Sequence, residues 1–136
     1  MSFQPPMRNA FSAAGAGLTS HPRPAASYSP PVCIAGVQAE VDPRPGMHTG
    51  GLYEAAGREW LVKPAPAAES ALRIGGWNDM RILVRGPHVR TWVNAVPAVD
   101  YVDPSPKYTD GVIALQLHSG GEGRMRFKDI LIREIQ

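Results

Sequence analysis

A single cysteine, Cys33, rules out an internal disulfide framework in this chain of 136 residues. It leaves the compartment open, because bridges are not required of exported proteins. No apolar run approaches the ~18 residues of a membrane-spanning helix. The opening stretch, MSFQPPMRNAFSAAGAGLTS, lacks the continuous apolar segment of a signal peptide. Charge of one sign is also missing: 14 basic against 12 acidic side chains leave a net +2. With no basic stripe, nucleic acid is excluded as a partner. Long segments free of helix breakers are absent too. Fourteen glycines and fourteen prolines cut the chain into short pieces, which favours strands over helices.

Residues 1–31 are rich in Pro, Ala and Ser and show no periodicity, so they are read as a flexible leader. Residues 32–136 form the expected folded domain. VCIAGVQAEVD alternates from Val32 to Asp42, with Gln38, Glu40 and Asp42 on one side. LYEA and EWLV are short strands, and KPAPAAES is a proline-rich connection. WNDMRILVRG, HVRTWVN and AVDYVD are three strands joined by the tight turns RGPH and NAVP. In MRFKDILIREI the apolar positions Phe127 and Ile130 are out of phase by one residue, which predicts a bulge near Lys128 or Asp129. Many short strands with frequent turns specify an antiparallel β-sandwich.

GVIALQLHSG, residues 111–120, reads as a half-buried strand. Ile113, Leu115 and Leu117 share one face; Gln116 and His118 share the other. That polar face either meets solvent or lines a pocket.

Taken in order, GVQAEVD, TGGLYEAAGREWL, WNDMRILVRG, RTWVNAVPAVDYVD, GVIALQLHSG and MRFKDILIREI resemble the 3-keto-disaccharide hydrolase family over about residues 34–135. The resemblance implies a concanavalin A-like jelly roll acting on carbohydrate, and family-like export to the periplasm or outside. The family's N-terminal strands are not recognisable in residues 1–31, so the sandwich is expected to be incomplete at that end, with exposed edge strands that favour self-association. The family's Asn-Gly hairpin turn is here Asn94-Ala95.

The resemblance places Gln116 and His118 in the pocket, because a Gln-x-His before a glycine-rich turn recurs in the family at this strand. Histidine titrates near neutrality and suits acid–base work. The glutamine amide offers one donor side and one acceptor side to sugar hydroxyls. Gln38 becomes a second substrate contact, and Glu40 or Asp42 supplies a carboxylate. Glu54 is a further carboxylate candidate, and Tyr53 and Arg58 in GGLYEAAGR are further binding candidates. Trp92 either stacks on a sugar ring or packs in the core, and Trp60 and Trp77 are assigned to core or rim.

No cofactor is evident, and a divalent metal would have to be assembled from His118 and a carboxylate by the fold. His21, His48 and His88 lack metal-ligand spacing and are set aside. The expected chemistry is hydrolysis of a 3-keto-glycoside by elimination. The alternatives are a non-catalytic carbohydrate-binding module and an inactive fragment.

Overall fold

A computed structural model of the chain describes residues 11–14, 17–19, 36–42, 44, 46–57, 59–116 and 124–134. The architecture is an antiparallel β-sandwich with one short helix. Its elements are β1 (Phe11–Ala14), β2 (Gly17–Thr19), β3 (Val37–Ala39), β4 (Leu52–Glu54), β5 (Glu59–Val62), α1 (Pro66–Ser70), β6 (Asp79–Arg85), β7 (His88–Val93), β8 (Val96–Val102), β9 (Arg124–Arg126) and β10 (Ile130–Leu131). A five-stranded sheet runs β10-β1-β6-β7-β8, a three-stranded sheet runs β3-β4-β5, and β2 pairs with β9.

The strands β6, β7 and β8 form because period-two alternation meets two tight turns. Gly86 and Pro87 join β6 to β7, with Gly86 at φ 56° and Arg85 opposite His88. A two-residue turn with φ > 0 at its first central position matches the right-handed twist of the flanking strands. Asn94 and Ala95 join β7 to β8 at φ 48° and 67°, the type I′ pattern. Alanine carries a Cβ penalty in that region that glycine lacks. Ala95→Gly is therefore expected to raise stability by about 0.5–1 kcal/mol, after the extra chain entropy of glycine is subtracted. A denaturant midpoint that stays put or falls would refute this.

The inner face of the five-stranded sheet carries Met80, Thr91, Val93, Ala98 and Val99, all buried. A register shift opposite Thr91 and Trp92 lets the consecutive residues Ala98 and Val99 both turn inward. Ala68 of α1 packs against Val93 and Ala98, with Leu72 and Val96 at the margin. The fully buried Thr91 hydroxyl donates to the Gly50 carbonyl at 2.6 Å, tying the loop before β4 to this sheet.

Four sequence expectations are corrected. Two strands, β1 and β2, lie within residues 1–31, where the pattern marks none; β1 runs between β6 and β10. Segments of three or four residues are too short to carry a readable period, and their pairing is decided by partners distant in sequence. KPAPAAES contains a helical turn rather than an irregular connection. Pro66 stands at its first turn, where the lost N–H is not needed, and Ala67, Ala68 and Glu69 favour helix. Residues 111–116 join no ladder, and Ile113 and Leu115, read as core-facing, are 62% and 47% exposed. The bulge expected near Lys128 is a break between β9 and β10, which serve different sheets; Asp129 makes the corner at φ 53°.

Candidate functional site

One row crosses the three-stranded sheet. Gln38 of β3 stands opposite Tyr53 of β4, and Tyr53 stands opposite Trp60 of β5. Cross-strand partners share a face, so the amide and the two rings lie side by side. The rings meet edge to face, with centroids 5.2 Å apart. Leu52 and Glu54 point to the opposite, buried side. The Gln38 amide donates to the Gln116 carbonyl oxygen at 2.5 Å across 78 residues of sequence. Gln38, Tyr53 and Trp60 are half-buried and Gln116 is exposed, so the row is open to a ligand.

Gly51 makes room for Trp60. A Cβ there would lie 2.9 Å from the Trp60 ring and 2.9 Å from Pro64. The loop before it is pinned from several sides. Thr49 donates its hydroxyl to the Asp42 carbonyl at 2.5 Å and accepts the Asp42 N–H at 2.9 Å. Glu40 donates its N–H to the Gly51 carbonyl, and its own carbonyl accepts from Gly50. Within this loop His48 holds φ 61°. Its ring meets Trp60 edge-on at 5.0 Å, and its Nδ1 lies 2.8 Å from Glu69 Oε1 of α1.

The other residues singled out by sequence fall as follows. Glu40 continues the Gln38 side of β3 by the strand period and is half-buried. The Asp42 carboxylate accepts from Arg44 Nη2 at 2.5 Å, and this guanidinium holds the Asp42 carboxyl below the usual carboxylate range. Glu54 is buried and closes the turn after β4. It accepts from the Tyr108 hydroxyl at 2.5 Å, from the Ala56 N–H at 3.2 Å and from the Gly57 N–H. The Tyr108 hydrogen bond, then that of Gly57, keeps its carboxyl below the ordinary range.

Trp92 lies on the outer face of the five-stranded sheet, beneath the guanidinium carbons of Arg81 at 4.6 Å and Arg90 at 5.0 Å. It helps line a groove of about 150 Å³ with Asp79, Arg81 and Ala95. Strand alternation sets it opposite Thr91, which faces the Gly50 loop, so the structure does not bring Trp92 to the Gln38 row. Arg58 and His118 lie outside the described residues. Among the described residues, no three His, Cys, Asp or Glu side chains group closely enough to hold a metal ion.

The structure thus brings Gln38, Gln116 and Tyr53 together. It adds Trp60, which the sequence assigned only to core or rim, and the pair His48–Glu69. These two are 21 residues apart with no periodic relation, so nothing in the sequence joins them.

Paired amides beside an aromatic row on an open sheet face set hydrogen-bonding groups and apolar ring faces side by side. The family model described as 3-keto-alpha-glucoside-1,2-lyase-like domain matches residues 12–133, and the chain belongs to that family. The match starts within β1, upstream of the motifs that begin near residue 34. No curated protein matches the chain.

Proposed function

We propose that this domain cleaves 3-keto-glycosides by elimination, with the substrate ring on the Gln38–Tyr53–Trp60 row. The observation that carries the reading is the meeting of Gln38 with Gln116 from a segment 78 residues away, on an open face beside two aromatic rings. A pyranose offers apolar C–H groups to the rings and a rim of hydroxyls to the amides.

The ketone at carbon 3 acidifies the hydrogen at carbon 2. A base takes that proton, and the C–H electron pair becomes the double bond between carbons 1 and 2. The glycosidic oxygen leaves with its bonding pair and takes up a proton. Addition of water completes net hydrolysis. The ketone is already present in the substrate, so this sequence needs no oxidant. Gln38, Gln116, Tyr53 and Arg58 position the substrate in this reading. His118, Glu40 and Asp42 remain acid–base candidates from the sequence, His118 because it follows Gln116 by two residues.

A 4-nitrophenyl 3-keto-glucoside tests the reading. The protein is expected to release nitrophenolate, and Gln38→Ala and Gln116→Ala are each expected to weaken substrate binding by about 1–3 kcal/mol, the cost of leaving polar partners unpaired. Binding without release would make the domain a carbohydrate-binding module. Neither binding nor release would refute both.

A further inference from the structure

Two histidines in the described structure touch a carboxylate. His88 Nε2 lies 2.6 Å from Asp100 Oδ1 on the outer face of the five-stranded sheet, where the Arg90 guanidinium forms an ion pair with Asp100 at 2.9 Å. That carboxylate is shared with a cation and well exposed, as a solvated surface network would be. His48 differs in each respect. Glu69 binds it through Nδ1 alone, at 2.8 Å, and among the described residues Nε2 has no partner. The two side chains are 23% and 30% exposed, sheltered yet reachable. The His48 ring abuts Trp60, and Trp60 abuts Tyr53, so the pair borders the same face as the two glutamines.

The backbone is committed to this placement. A side chain at φ 61° costs free energy outside glycine, and here the surrounding contacts hold it. The His48 carbonyl accepts the Gly51 N–H at 2.9 Å, and Gly46 and Gly50 on either side also take positive φ. A carboxylate on Nδ1 fixes the tautomer and ring orientation and leaves Nε2 as the acceptor.

We propose that His48 is the catalytic base that removes the hydrogen at carbon 2 of the 3-keto sugar, with Glu69 as its positioning residue; this rests on the function proposed above. Nε2 takes the proton, the C–H pair forms the bond between carbons 1 and 2, and the C–O pair leaves on the glycosidic oxygen, which takes a proton from water. Glu69 balances the charge of the resulting imidazolium.

The test uses the full chain and two probes. One is the 4-nitrophenyl 3-keto-glucoside. The other is a 3-keto-1,5-anhydroglucitol, which has no leaving group at carbon 1 and reports proton removal alone, as deuterium uptake at carbon 2 in heavy water. His48→Asn keeps a residue type that tolerates positive φ and removes the imidazole. It is expected to lower kcat and deuterium uptake at least about 100-fold each, with KM and the melting temperature little changed. Glu69→Gln, which keeps an acceptor for Nδ1–H, is expected to lower kcat about tenfold at constant KM.

If the unaltered protein neither cleaves nor exchanges, the proposed function fails and this assignment falls with it. If it is active and His48→Asn retains kcat or exchange, only the assignment to His48 is overturned. If His48→Asn does not fold, Glu69→Gln decides, and full kcat in that variant overturns the assignment.

Discussion

Gly50→Ala is expected to destabilise the domain by about 2–5 kcal/mol, a large part of the 5–15 kcal/mol that holds a typical domain together. Two costs add. Gly50 sits at φ 92°, where a side chain is strained. The added Cβ would also lie 2.9 Å from Ala98 Cβ and 2.9 Å from Val93 Cγ2, both in the core. These neighbours belong to sheet strands and cannot swing aside as a flexible surface side chain would. The Gly50 carbonyl accepts the buried Thr91 hydroxyl, so displacement of the loop also breaks that bond. A urea titration monitored by tryptophan fluorescence measures the effect. A midpoint within error of the unaltered protein would show that the loop does not seat as described.

Asn78→Ala is expected to cost about 2–4 kcal/mol, from several hydrogen bonds lost at one buried side chain. The Asn78 carbonyl oxygen accepts the Arg73 N–H at 2.7 Å and the Asn94 amide at 2.8 Å. Its own amide donates to the Arg73 carbonyl at 3.0 Å and the Gly76 carbonyl at 3.1 Å. Asn94 in turn donates to the Ala71 carbonyl at 2.7 Å and accepts the Asp79 N–H at 2.9 Å. One side chain thus joins the turn after α1 to the start of β6 and to the β7–β8 hairpin. Thermal unfolding of Asn78→Ala and Asn78→Asp separates the contributions. The aspartate keeps the acceptor but turns a carboxylate oxygen toward the Arg73 and Gly76 carbonyls at a buried site, so it should lose at least as much as the alanine. Equal melting temperatures for all three proteins would contradict the network.

The neighbouring asparagines show how differently two residues can be read from sequence. Asn78 stands directly before an alternating run, and its side chain bonds the turn residues Arg73 and Gly76. Asn94 is legible as a hairpin residue because the turn is two residues long. That their side chains also bond each other depends on the β6–β7 register, which no local signal contains.

Of the candidate site, Gln38 was singled out by its polar row in VCIAGVQAEVD together with the family resemblance, and Tyr53 by its place in GGLYEAAGR. The meeting of Gln38 with Gln116 required the fold to bring it about. Glu54 shows the opposite case. Its type and its place beside Tyr53 suggested chemistry, but a strand sends neighbours to opposite faces, and its oxygens are occupied by a turn and by Tyr108.

The sequence by itself determined the β class, the three-strand meander from Asp79 to Val102 and both of its tight turns. Those features arise from interactions within a few residues: period-two burial and the dihedral demands of two-residue turns. Only the tertiary structure decided where β1 pairs, that residues 111–116 run outside a ladder, and that His48 meets Glu69. Each of these depends on which groups the packed sheets bring within hydrogen-bonding or van der Waals distance, and a chain separation of 21 or 78 residues leaves no periodic trace of that proximity.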